Sequence, residues 1–188
     1  MKILCEVSIR HVHLSREHVD VLFGKGYELT VARYLSQPGQ FLCAERVNLV
    51  TPKAVFQRVG IIGPVRGKTQ VELSKTDCFV LGLRDVPIRQ SGELDKTPGI
   101  TLQRGEARVE LESGVIVAKR HIHLDNETAK EMNIADGRLV SVIFDGERGG
   151  RLDNTVVRVS QDFSPSMHID SDEANCVGFI KGEAEIIW

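Results

Sequence analysis

The sequence predicts a mainly β protein in two similar halves, each a small barrel or sandwich. Three observations carry this expectation. The segment Val7-Ser8-Ile9-Arg10-His11-Val12-His13-Leu14-Ser15 recurs as Val117-Ala118-Lys119-Arg120-His121-Ile122-His123-Leu124-Asp125, so a strand, a His-x-His pair and a helix start occur twice. The aromatics number only seven Phe, two Tyr and one Trp, which leaves the core to Val, Ile and Leu, and the β-branched members of that set favour strands. The remaining chain breaks into short apolar runs between turn residues, supplied by 17 Gly and 6 Pro in 188 residues.

In chain order, the first strand leads into His11 and His13. Ser15 then caps a helix, with Leu14 one place before the cap and Val19 four places after it in the positions of a hydrophobic staple. Val19, Leu22 and Phe23 form a one-sided stripe that stops at Gly24 and Gly26. Strands are expected at 70–73, 79–83 and 115–118. The second His pair, the cap Asp125 and the staple Leu124 with Ala129 repeat the first arrangement. Further strands are expected at 139–144, 156–159 and 177–180, with turns at Asp136-Gly137 and Asp145-Gly146. The polar stretch 90–99 reads as a long surface loop, where local patterning alone would cut the chain in two.

Hydrophobic residues at 41% and charged ones at 27% are the balance of a globular protein able to bury a sizeable core. The net charge of −2 gives no electrostatic footprint for nucleic acid or an anionic membrane, so the expected partner is a small molecule or a protein. The longest apolar runs, such as 79–83, fall far short of the roughly 20 residues that span a bilayer. At the start the apolar run breaks at Glu6, which argues against a signal peptide and for a cytoplasmic protein. Cys5, Cys43, Cys78 and Cys176 form no C-x-x-C pair and are expected as reduced, buried thiols.

Five of the six histidines fall in three places: His11 with His13, His121 with His123, and His168. Side chains two apart on a strand share a face, so each pair offers two imidazoles from one rigid edge to a single ion, and zinc suits imidazole best among the common metals. One pair alone would as readily be structural. Its recurrence with the same flanking Arg and Leu argues for metal. Catalytic zinc takes about three protein ligands, so third ligands are needed. His168, between the alternating Met167 and Ile169, is one candidate, and Glu72, flanked by Val71 and Leu73, is one of 26 acids that could serve the other site. His18 reads as a surface or capping residue. The turn Gly63-Pro64-Val65-Arg66-Gly67-Lys68-Thr69-Gln70 lacks Walker spacing; it is either a solvated basic turn or a place where Arg66 clamps a phosphate.

These residues resemble a known family, the PduL-type phosphate acyltransferases, or phosphate propanoyltransferases. The resemblance covers nearly the whole chain. It rests on Arg10-His11-Val12-His13-Leu14-Ser15, Gln37-Pro38-Gly39-Gln40-Phe41, Gly63-Pro64 with Arg66, Thr69-Gln70-Val71-Glu72, Ser91-Gly92-Glu93-Leu94, Pro98-Gly99-Ile100-Thr101-Leu102, Ala118 to Leu124, and Met167-His168-Ile169-Asp170-Ser171-Asp172-Glu173-Ala174-Asn175. It implies two small β-barrels with short capping helices: residues 1–9 with 119–188, and residues 10–118 with an inserted small sheet near 38–55. It also implies one zinc held by His11, His13 and Glu72, a second held by His121, His123 and His168, and Arg66 as the phosphate-binding arginine. Ile9 departs from the family, standing where many relatives carry Asn. The long N-terminal helix that sends some relatives into microcompartments is also missing, with only ten residues before His11, so encapsulation is not expected.

The implied reaction is acyl-CoA plus phosphate giving acyl phosphate plus CoA, reversibly, with propanoyl-CoA or acetyl-CoA as donor and a homodimer as the assembled form. Two zinc ions against one carboxylate and five neutral imidazoles leave a formal charge of about +3, which favours phosphate and a CoA thiolate. A rival expectation is a two-zinc hydrolase of thioesters or phosphoesters, distinguished by whether CoA release depends on phosphate.

Overall fold

The computed structural model describes residues 1–188. Its elements in chain order are β1 (Lys2–Ser8), β2 (His11–His13), α1 (Arg16–Phe23), β3 (Val31–Tyr34), β4 (Phe41–Val50), β5 (Val55–Gly63), β6 (Gln70–Leu73), α2 (Lys75–Leu81), β7 (Ile88–Arg89), β8 (Ile100–Arg104), β9 (Ala107–Leu111), β10 (Val115–Ala118), β11 (His121–Leu124), α3 (Asn126–Glu131), β12 (Leu139–Phe144), β13 (Gly150–Val159), β14 (Ser166–Asp170), α4 (Ser171–Cys176) and β15 (Gly182–Ile187). The protein is mainly β, and no helix is long and apolar enough to cross a membrane. The chain divides into two units. One comprises Met1–Ile9, Ser36–Pro38 and Lys119–Trp188; the other comprises Arg10–Leu35 and Gly39–Ala118.

The first unit is a closed six-stranded barrel in the order β1-β14-β11-β13-β12-β15. β1 runs parallel to β14 and antiparallel to β15, so the chain's first strand closes a barrel built otherwise from its last third. Closure leaves no unpaired edge. Strand periodicity fills the interior: β1 buries Ile3 and Cys5, β12 buries Val140, Val142 and Phe144, and β15 buries Ala184 and Ile186. These join Ile122, Leu124, Val157, Met167 and Ile169 in one core.

The second unit is a half-barrel. Its strands follow the path β7-β10-β6-β2-β5-β4-β8-β9, with β3 added beside β4. Segment 38–55 contributes β4 to this sheet, where β4 pairs with β5 on one side and β8 on the other. Loop 90–99 joins β7 to β8 of the same sheet and so lies inside the unit; it does not separate two halves. Val12, Leu14, Cys43, Val47, Leu49, Ile61, Val71 and Leu102 form the core, with Val19 and Leu22 of α1 and Cys78 and Leu81 of α2 packed against it.

Two expected strands are replaced. Residues 79–81 belong to helix α2, because Ser74 and Asp77 form a reciprocal capping box that starts a helix at Lys75. The run then buries Cys78 and Leu81, three apart, and leaves Phe79 76% exposed, which is helical rather than strand spacing. Residues 177–180 follow α4, which starts at a second capping box, Asp170 with Glu173; Val177 is its C-cap and Gly178 turns the chain at φ 62°.

Candidate metal centres

β2 and β6 pair antiparallel with His11 opposite Glu72, Val12 opposite Val71 and His13 opposite Gln70. Directly opposed residues share a face, so the register that sends Val12 and Val71 into the core puts His11, His13, Glu72 and Gln70 together on the other side. His11 Nε2 lies 3.4 Å from Glu72 Oε2, and His13 Nε2 lies 3.8 Å from Oε1. His13 Nδ1 bonds the Ile62 carbonyl at 3.0 Å, which turns Nε2 toward the carboxylate. All three side chains are buried.

The first unit repeats the arrangement in its own strands. β11 pairs antiparallel with β14, His121 opposite His168 and His123 opposite Ser166. The third member of each triad therefore occupies the same register position, Glu72 in one unit and His168 in the other. The ring centroids of His121, His123 and His168 are 4.7, 5.2 and 5.1 Å apart. His121 Nδ1 is bonded to the Lys119 carbonyl at 2.9 Å. In each triad the potential ligand atoms lie within 4.8 Å of one another.

Each unit braces its triad alike. The arginine before the His pair reaches the acidic third residue of the helix that follows the third triad member. Arg10 donates to Asp77 Oδ1 through Nε at 3.0 Å and Nη2 at 2.6 Å, and Arg120 Nη1 donates to Glu173 at 2.5 Å. Asp77 and Glu173 are also the capping-box acids of α2 and α4. One carboxylate thus ties a helix start to the His-bearing strand. These partners were missed in the sequence, although the patterns Ser74-x-x-Asp77 and Asp170-x-x-Glu173 were readable there. Also missed were the groups behind the third members. Gln70 and Ser91 bond Glu72, while Ser166 lies 3.1 Å from His168 Nε2 and accepts from the buried Gln37 at 2.7 Å.

Electrostatics favour the ligand forms. Burial would push the Glu72 carboxyl up, but His11, His13, the Ser91 hydroxyl and Arg66 outweigh it and hold it down at about 2, so it is a carboxylate. Burial, with His11 and Arg66 nearby, holds His13 down at about 3; burial, with His121 and His168, holds His123 at about 2. Both imidazoles are neutral, as metal binding requires. His123 Nδ1 is buried without a hydrogen-bond partner, the signature of a ring nitrogen placed for a group the chain does not supply. This donor set fits a zinc-like ion at each triad.

Arg66 is held by its backbone, whose N–H donates to the Leu14 carbonyl at 2.8 Å, and its Nη1 donates to Ser91 Oγ at 2.9 Å. It lines an open cleft of about 1170 Å³ with Ser15, His18, Lys68, Thr69 and Arg89. His18 belongs to neither triad; its backbone N–H completes the Ser15 cap and its ring lies 2.6 Å from Thr69 Oγ1. Cys5, Cys43 and Cys78 are buried as expected, whereas Cys176, at the end of α4, is exposed.

Residues 4–180 match the family model for phosphate propanoyltransferase. The chain is 52% identical to the phosphate propanoyltransferase of Leptotrichia buccalis over 95% of its own length and 84% of the relative's. It is 52% identical to that of Listeria monocytogenes, covering 94% and 83%, and 46% identical to that of Thermotoga maritima, covering 96% and 86%. Matches of this extent, on a fold that presents two such triads, show that the chain belongs to the phosphate propanoyltransferase family of acyltransferases.

Proposed function

We propose that the chain transfers the propanoyl group of propanoyl-CoA directly to inorganic phosphate, reversibly, with one zinc ion held by His11, His13 and Glu72 and another by His121, His123 and His168. The observation that carries this reading is the recurrence of one triad at one register position in both units of a phosphate propanoyltransferase fold. When bound, zinc would supply Lewis acidity and a soft acceptor for thiolate sulfur.

The chain's own groups do the rest. Arg66 offers a planar cationic fork to the phosphate, which is already an anion at neutral pH and needs no protein base. A phosphate oxygen forms the new bond to the thioester carbonyl carbon as the carbon–sulfur bond breaks, and its electron pair leaves on CoA sulfur. No protein thiol intervenes. Burial, with Glu6 and Glu173 nearby, pushes the Cys5 thiol up to about 12, and burial, with Glu45 nearby, pushes Cys43 up to about 11. Acetyl-CoA as a second donor, a homodimer, a cytoplasmic location, and domains 1–9 with 119–188 and 10–118 remain part of this proposal.

The test follows the loss of thioester absorbance from propanoyl-CoA, with and without phosphate, in metal-loaded and chelator-treated protein. Loss that requires both phosphate and metal, with propanoyl phosphate as product, supports the reading. Equal loss without phosphate replaces it with the thioester hydrolase.

A further inference from the structure

We infer that Ser91 is a positioning residue whose single hydroxyl links the anion-binding arginine to the metal-binding carboxylate, so that Arg66 and Glu72 work as one unit. The inference rests on the functional reading above and deepens it. Gln70 and Ser91 sit on different segments, strand β6 and loop 90–99, and meet at the buried carboxylate.

The direction of every bond is set by which groups can donate. The Gly92 backbone N–H donates to Gln70 Oε1 at 2.7 Å, so the Gln70 amide must face the other way, with its NH2 toward Ser91 and Glu72. Gln70 Nε2 donates to Ser91 Oγ at 2.8 Å and to Glu72 Oε1. Arg66 Nη1 donates to Ser91 Oγ at 2.9 Å. Both lone pairs of the Ser91 oxygen are then used, and its one proton has a single destination, Glu72 Oε1, at 2.9 Å. The chain therefore runs from guanidinium to hydroxyl to carboxylate, charge-assisted at both ends.

Two consequences follow. Oε1 of Glu72, 3.8 Å from His13 Nε2, already accepts from Ser91 and Gln70, which makes Oε2, 3.4 Å from His11 Nε2, the better placed of the two oxygens for an ion. Arg66 is likewise held in one arrangement before any anion arrives, which lowers the ordering cost of binding it. Removing the hydroxyl should disturb both ends together, and the part of Arg66's influence on Glu72 that passes through Ser91 should be lost with it.

The experiment measures zinc affinity by chelator competition and, separately, KM for phosphate and for propanoyl-CoA, in folded holoenzyme and its variants. Ser91→Ala is expected to weaken zinc retention at one of two sites by about tenfold, the lower end for a partner behind a metal ligand. It should also raise the phosphate KM about tenfold through loss of one charge-assisted bond, leaving the propanoyl-CoA KM within about twofold. Ser91→Thr, which keeps the hydroxyl, should restore both; Ser91→Val, with a comparable volume to threonine but no hydroxyl, should behave like the alanine variant and serves if alanine does not fold. Arg66→Ala should change zinc retention less in the Ser91→Ala background than in the wild-type background, because the bonded route is already gone. Unchanged zinc affinity in both Ser91→Ala and Ser91→Val, or strictly additive effects of Arg66→Ala and Ser91→Ala, overturns the linkage. If Arg66→Ala alone leaves the phosphate KM unchanged, the assignment of Arg66 fails, while the zinc measurements still decide the role of Ser91.

Discussion

A single imidazole decides whether each triad can hold an ion. His11→Ala and His121→Ala leave only two ligands in their respective triads, so each should lower the metal content from two to one per chain and abolish most activity, read by elemental analysis beside the transfer assay. Arg66→Ala removes the cationic fork and should raise the phosphate KM by about one to two decades while changing the acyl-CoA KM little; lysine should restore only part, because it brings charge without the fork. The thiols give a test in pH. Cys5 and Cys43 keep their protons in the fold up to about 12 and 11, whereas in the unfolded chain they lose them near the ordinary value of 9.0. Between these limits the folded state binds more protons, so their contribution to stability falls as pH rises above 9. Cys5→Ala should flatten the decline of Tm from pH 9 toward 11. In native protein at lower pH, only the exposed Cys176 should react quickly with a thiol reagent, the rest reacting after unfolding. A chain with all four cysteines changed to serine that folds, binds metal and yet transfers no acyl group would overturn the direct-attack route.

Each His-bearing strand is one member of a braced set that includes a neighbouring strand, a helix start and an arginine. In the second unit the set depends on how closely loop 90–99 approaches β9 as it enters β8. A Cβ built on Gly99 would stand 1.7 Å from the Leu111 carbonyl oxygen, an overlap with backbone that no side-chain rotation relieves. Gly99→Ala should therefore destabilise the protein by about 2 kcal/mol or more, seen as a lower midpoint in urea. Its effect should extend to phosphate binding, since Ser91 lies in the same loop. A variant of wild-type stability would show that the loop can stand away from β9 at no cost.

On the scale of the whole molecule, the chain order and the spatial order of the strands disagree. β1 comes first in the sequence and sits between β14 and β15 in the barrel. Without it, both of those strands would present unpaired edges, and Ile3 and Cys5 would be missing from the core. A chain lacking residues 1–8 should lose the cooperative unfolding of this unit and its metal, and a synthetic peptide of residues 1–8 should restore zinc binding by adding the strand back. Full metal retention in the shortened chain, without peptide, would show that the barrel closes by another route.

The sequence by itself determined what depends on near neighbours. Repeating His-x-His on a strand dictates paired imidazoles on one face, and the Ser15 and Asp125 caps with their staples dictate helix starts at Arg16 and Asn126. Short apolar runs at 70–73, 115–118 and 139–144 gave strands because alternation or burial within a few residues decides them. Where a short run was ambiguous, at 79–83, the capping acid Asp77 won over β propensity. Only the tertiary structure decided what depends on pairing between distant segments. His11 meets Glu72 rather than any other of the 26 acids because of the antiparallel register of β2 and β6, and His121 meets His168 by the register of β11 and β14. Ser91 and Gln70 look like ordinary polar residues until loop 90–99 folds back onto β6. Local sequence encodes which face a side chain takes; register and partner are set by burying Val12, Val71, Ile122 and Met167 against strands far away in the chain, so the site is completed by the core behind it.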